Sequence, residues 1–407
     1  MKRVITSTII ALTALLTSMP AFSQYTFFTP EGSFAIEVSL ENTSLKRLPI
    51  YRNAITSLAV AEEDVIGGTS AREGMSPFLF VASLKKREVT AILDLDHVVT
   101  GQNAIRSGFV VDKDHQLYAG TIPDKTNRSG GHLLKIKRSA AGKLHVTDLG
   151  IPVAGEGVFS ITNDPDYKKI YGISYPSGFF FSYDIPSEKT KIYNDPAPQK
   201  GIVHSLDEQF SLAPEDFLSR ALITDGQGLV YGSLPFGKIF CFNPGDETIR
   251  ELEAELPEVW GRRSLGQVQC WLKTKNGRMF GGNSADGQLF EFIPSTKQIR
   301  NIGKPIMMPG LAGLAEGADG KIYGIAGEMP GYSHLFSFDE KEGFKDFGNP
   351  EFEMVAPGIE QGILWRGFQI GTISASEKGD YIVMGEVESL SQLLVFPVKT
   401  KTLTFER

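Results

Sequence analysis

The sequence predicts an all-β fold, a seven-bladed β-propeller of four-stranded antiparallel blades. Three observations predict it. A strand-like unit ending in aromatic-Gly, or a close variant, occurs seven times. Its copies are spaced by 43 to 61 residues, the length of one four-stranded blade. Short β-branched and aromatic runs punctuated by Asx-Gly turns fill the chain, and no long amphipathic helix interrupts them.

The opening stretch "MKRVITSTIIALTALLTSMPAFSQ" reads as a secretory signal peptide over residues 1–23. Lys2 and Arg3 precede an apolar run too short to span a bilayer, and Ala21 and Ser23 give a small-x-small cleavage pattern. Residues 24–407 then read as one propeller domain, without a membrane anchor, secreted or periplasmic. Residues 24–49 could add an outer strand. The recurring units follow: "DVIGGT" with Ile66–Gly67, "QLYAGT" with Tyr118, "KIYGIS" with Tyr171, "LVYGSL" with Tyr231, "RMFGGN" with Phe280, "KIYGIA" with Tyr323 and "YIVMGE" with Met384. Polar turns such as "DPDYKK" and "ADG" precede most of them. A loop and a third strand follow, as in "SGFFFSYD" and "DGQLFEFIP". The seventh unit reads as complete by itself, which leaves ring closure open. The longest break in the pattern, about 194–218, is the kind of ordered loop that carries function.

A formal charge of −7, or −9 without Lys2 and Arg3, argues against nucleic acid or an anionic bilayer as partner. A polyanionic substrate would need a local basic patch. Cys241 and Cys270 are too few for a disulfide scaffold; they pair or remain buried thiols. With 43 Gly and 27 Phe the chain has the composition of a large all-β globule.

Blade topology sorts the candidates. In a meander, the loop from second to third strand lies on the same face as the connection to the next blade, and that face usually carries the site. His132, Tyr175 and His334 fall in second-to-third loops. His97, His204, Arg262 and Arg263 fall in connections, and Arg106, Arg220 and Arg366 at the starts of inner strands. His115 belongs on the opposite face. Tyr175, in "SYPSG", is the one tyrosine added to the repeat pattern.

No nucleophile elbow, Ser/His/Asp motif or HExxH occurs. Histidine, tyrosine and arginine without a nucleophile suit β-elimination on a uronic acid. A guanidinium neutralises the carboxylate so that the C5 proton becomes acidic. A base then removes it, and an acid protonates the departing glycosidic oxygen. Glu156, Glu328 and Glu386 keep open a hydrolase built on paired carboxylates.

The mature chain resembles the secreted seven-bladed propellers of polysaccharide lyases, particularly the ulvan lyases. The residues that carry the likeness are His132 in "GGHLLKI", Tyr175 in "SYPSG" and Arg262 in "GRRSLGQVQC". The resemblance implies a catalytic set of His132, Tyr175 and Arg262, with Arg220 added by position alone. It also implies a structural Zn2+, for which His204, Cys270 and His334 are the candidate ligands, an incomplete set without a fourth. A second histidine of the family has no clear place: His115 has the spacing but the wrong face, and His97 the face but a looser spacing. The expected partner is an anionic polysaccharide, handled by a monomer. The competing expectation is a non-catalytic propeller that binds a glycan or a protein.

Overall fold

The structure is a computed structural model that describes residues 32–38, 47–139, 142–193, 218–257, 266–327, 329–355, 364–388 and 390–398. The expected signal peptide lies outside these residues. The described residues contain no α-helix. They form seven four-stranded antiparallel units, taken here as blades one to seven, at residues 54–94, 102–148, 157–192, 223–255, 268–303, 311–346 and 370–397. The seventh unit borrows its fourth strand from elsewhere in the chain.

All seven aromatic-Gly copies lie on second strands, and the cross-strand register explains the motif. Gly67, Gly172, Gly232, Gly281 and Gly324 sit directly opposite Phe80, Phe181, Phe240, Phe290 and Phe336 of the third strands. A Cβ built at any of these five glycines would lie closer than 3.0 Å to that phenylalanine ring. The ring thus covers the space a side chain would need. The aromatic residue before the glycine points to the other face of the sheet. There Tyr231 donates a hydrogen bond of 3.0 Å to Asp225, and Tyr323 one of 3.0 Å to Asp319. Both aspartates belong to the preceding polar turns. Burial and that nearby carboxylate push the tyrosines up, Tyr118 to about 12.

Packing closes the ring. Seven hydrophobic clusters form, one at each junction between neighbouring blades. The last joins Val383 and Val395 of blade seven to Ile55, Val65 and Phe80 of blade one. The seventh unit is not complete by itself. Its outer strand is Phe34–Ile36 from the N-terminal side of the chain, antiparallel to Leu393–Pro397 with Phe34 opposite Val395 and Ile36 opposite Leu393. Outside it lie Glu351–Val355, parallel to Phe34–Ile36, and then Leu364–Arg366. Arg366 is therefore at the outer edge of a six-stranded sheet and not at the start of an inner strand, because blade seven's inner strand begins at Ile370.

Ion pairs tie blades five and six together on the face of the first-to-second turns. Arg278 reaches Glu291 and Glu340 at 2.6 Å each, and Arg300 reaches the same two carboxylates at 2.8 and 2.6 Å.

Candidate functional site

Two inner strands are interrupted or cut short, those of blades two and four, and an arginine stands at each interruption and lines the axial cavity. In blade two the inner strand breaks between Gln102–Ile105 and Val110–Val111. Arg106 leads the break, and Gly108 supplies its positive φ of 77°. The side chain of Ser107 replaces the missing ladder partner by accepting the Gly120 N–H at 2.6 Å. The Ile105 carbonyl accepts from Thr56 and Ser57 of blade one at 2.6 and 2.9 Å. Blade four repeats the device. Ser219 accepts the Ser233 N–H at 3.0 Å, and Arg220 beside it bonds the Gln269 amide oxygen at 3.2 Å.

Both arginines line an axial cavity of about 740 Å³ to which every blade contributes. Among the described residues that line it there is no Asp or Glu. Blade five gives it Gln269, Cys270 and Trp271; the Trp271 ring packs against Phe290 and Phe292 at 5.4 and 6.2 Å, and its buried indole N–H has no acceptor among the described residues. A side pocket of about 220 Å³ shares Asn103, Arg106, Ile122 and Phe159 with the cavity and adds Tyr175 and Lys125. Tyr175 stacks on Phe159 at 5.7 Å and 24°, and the Arg106 guanidinium lies 5.6 Å from the same Phe159 ring. Blades two, three and four thus contribute an arginine, a tyrosine on a phenylalanine, and a second arginine.

The Tyr175 turn is held from below. Tyr175–Pro176 is a cis peptide, Gly178 takes φ +81°, and Ser174 accepts the Phe179 N–H at 2.9 Å. The Glu156 carboxylate accepts from the Ser177 N–H at 2.8 Å, the Ser177 hydroxyl at 2.7 Å and the Ser174 hydroxyl at 3.1 Å. Glu156 is therefore committed to the turn. Glu386, fully buried, is committed likewise, to the Phe368 and Gln392 N–H groups at 2.9 and 3.0 Å. Two of the three carboxylates considered for hydrolysis thus hold loops, and Glu328 lies outside the described residues. At the pocket rim Lys125 pairs with Glu73 at 2.9 Å, which raises its pKa. Asp124 caps Thr126 and Gly74, whose N–H groups hold it below the ordinary carboxylate range.

The other sequence candidates fall elsewhere. His132 lines neither the cavity nor the side pocket. Its Nδ1 meets Asp148 of its own blade's outer strand at 2.9 Å, and that carboxylate also accepts the Gly150 N–H. His334 does the same in blade six, with Asp346 at 3.0 Å and Gly348. The shared slot on third strands is thus a latch to the fourth strand. His115 lies in the first-to-second turn, on the opposite face as the repeat requires. Exposed His97 ends a short 3₁₀ turn.

The zinc set does not assemble among the described residues, where no group of three His, Cys, Asp or Glu is placed to hold a metal. Cys270 is a cavity-wall thiol whose Sγ lies 3.4 Å from the Leu311 carbonyl, and burial pushes it up to about 12. His334 is engaged by Asp346 outside the cavity. His204, Arg262 and Arg263 lie outside the described residues. Cys241 and Cys270 are both free thiols. Sequence reasoning missed Phe159, Asn103, Trp271 and the anchoring role of Glu156. The signal for Phe159 was its place in "GVFSIT", the strand paired with the one that ends at Tyr175.

No protein-family model matches the chain, and no curated protein does. Solved structures match its fold. A catalytically inactive variant of virginiamycin B lyase from Staphylococcus aureus, with quinupristin, superposes with a TM-score of 0.59 at 10% identity, over 90% of this chain and 100% of that one. The extracellular domain of a hybrid two component system from B. thetaiotaomicron gives 0.56 at 13%, over 90% of this chain and 40% of that one. The RRP9 WD40 repeats give 0.55 at 12%, over 92% and 100%. At these identities the likeness concerns the fold: this chain is an all-β propeller of the kind shared by lyases, extracellular domains and WD40 repeats.

Proposed function

We propose that this propeller is a secreted or periplasmic polysaccharide lyase that cleaves a uronate-containing glycan by β-elimination at the mouth of its axial cavity. The observation that supports this most is one arrangement: Tyr175 and Arg106 share a pocket whose lining overlaps that of the cavity bearing Arg220, where no carboxylate lines the wall among the described residues. Against a global charge of −7, Arg106 and Arg220 supply the cationic groups that an anionic substrate needs, while the side pocket also carries Asp124 and the Lys125–Glu73 pair.

The roles follow from the chemistry. Arg106 and Arg220 grip the uronate carboxylate, a planar fork on a planar anion, and stabilise the charge that develops as the C5–H bond breaks. Tyr175, ionised to the phenolate, takes the C5 proton. The C4–O bond then breaks as the C4–C5 double bond forms, and the same phenol returns its proton to the departing oxygen. One residue can do both when proton and leaving group lie on the same side of the ring. His132, turned to Asp148, is left to hold blade two. A virginiamycin B lyase shares the fold, which makes elimination on a propeller a reasonable reading and assigns no residue.

Absorbance near 235 nm, followed with ulvan, pectate and other uronate polymers, tests the reading. A conjugated product absorbs there, and Tyr175→Phe is expected to slow its appearance at least about a hundredfold. The second reading, a non-catalytic propeller that binds an anionic glycan, is favoured by one observation: among the described residues, no histidine lines the cavity or the side pocket. A flat trace with retained glycan binding would select it.

A further inference from the structure

We infer, on the reading that the mouth binds a uronate, that Phe159 is the positioning residue of the site: its ring holds the Tyr175 phenol and the Arg106 guanidinium toward one ligand. The observation begins in the strand ladders. Among the described residues, six inner strands carry one extra residue that has no cross-strand partner: Thr56, Asn103, Phe159, Gln269, Ala312 and Gly371. All six line the axial cavity. A bulge bends its strand and re-aims a side chain, and this fold repeats the device blade after blade.

Five of the six bulge residues are small or carry a hydroxyl or an amide. Blade packing therefore accepts a short side chain at this position, and Phe159 is the exception. Its ring is buried, at 4% exposure, yet it belongs to none of the seven hydrophobic clusters. Its ring contacts are with the site instead. Tyr175 stacks on it at 5.7 Å, and the Arg106 guanidinium stands 5.6 Å from its centre. The next residue, Ser160, donates a hydrogen bond of 2.9 Å to the carbonyl of Ser219, which precedes Arg220. One bulge thus borders functional groups from blades two, three and four. A stacked ring and a cation over a ring each narrow the orientations of a long side chain. Groups held in place before a ligand arrives lose less freedom when it binds.

Two double-mutant cycles test the role. Calorimetric titration with tetrasaccharides prepared from ulvan and from pectate reads binding, and absorbance near 235 nm reads elimination. Phe159→Leu, with an unchanged circular dichroism spectrum, should weaken binding about three- to tenfold in the parent protein. In the Arg106→Ala background, where Arg220 still holds the ligand, the same change should cost less than about twofold. It should lower kcat about ten- to hundredfold in the parent and add nothing to Tyr175→Phe. Phe159→Tyr, which keeps the ring, should recover most of both losses. Phe159→Met, a flexible filler of the same space, runs both cycles in place of a leucine variant that does not fold. Equal losses in the parent and in both backgrounds make Phe159 a packing residue and overturn the positioning role, while a rise in absorbance leaves the lyase standing. A non-additive binding cycle with flat absorbance supports the positioning of Arg106 and overturns the lyase. No binding of either tetrasaccharide overturns both.

Discussion

A phenylalanine ring lying over a glycine is the smallest unit from which this propeller is made. Gly172 opposite Phe181 is one of five such pairs, and a methyl group at Gly172 has nowhere to go because the ring of a fully buried residue occupies its place. Gly172→Ala should destabilise the protein by about 1–3 kcal/mol, the cost of overpacking a core, as a lower urea midpoint with an unchanged m value. The glycine was legible as a repeat in the sequence, and so was the aromatic residue before it. The reason for the glycine was not, since its partner lies 8 to 13 residues onward across a loop of variable length. Tyr175 was legible for the opposite reason. It breaks the repeat, so no packing rule of the blade accounts for it.

At the scale of the element, the turn at 174–179 and the irregular starts of two inner strands decide what the mouth looks like. Topology alone sorted Tyr175, Arg106 and Arg220 onto one face, and the structure gathers them around two connected spaces. Topology did not fix where a side chain on that face points. His132 shares the face and turns outward, because Asp148 on the neighbouring strand offers its Nδ1 a partner. Glu156, read as a possible catalytic carboxylate, is the anchor of the turn, which only the fold reveals, since its three donors stand 18 and 21 residues away in sequence. Glu156→Ala leaves those donors without their acceptor. It should cost about 1–3 kcal/mol in thermal or urea unfolding. Because the turn carries Tyr175, the proposed lyase reading adds that Glu156→Ala lowers kcat with the fold retained, whereas Glu156→Gln, which keeps an acceptor oxygen, should recover part of both.

The whole molecule is a ring of seven blades, and the seam between blades five and six adds ion pairs to its hydrophobic cluster. Glu340 of blade six is held at about 2, first by its hydrogen bonds to Arg300 and Arg278 of blade five, against an ordinary value of 4.5. A carboxylate with a depressed folded value stabilises the protein above its unfolded value and loses that contribution as the pH falls through the folded one. Stability at this seam should therefore be complete above about pH 4.5 and decline towards pH 2. Glu340→Gln should be less stable than the parent at neutral pH and converge with it in acid, as urea midpoints measured from pH 7 to 2.5 would show. The pair is partly exposed, so salt should shrink the difference. The ring itself was legible from seven repeats. The way it closes was not, because Phe34–Ile36 is only three residues long and its partners are more than three hundred residues away.

That closing strand has a consequence in time. Phe34–Ile36 lies between Leu393–Pro397 on one side and Glu351–Val355 on the other, so the earliest described strand of the chain has no partner until the last have emerged. A contact across so long a loop pays the largest entropic cost before it brings any reward, and folds dominated by such contacts form slowly. Six blades can be made in order as the chain lengthens. The seventh must wait for both ends, and until it forms, the hydrophobic flanks of blades one and six stand uncovered.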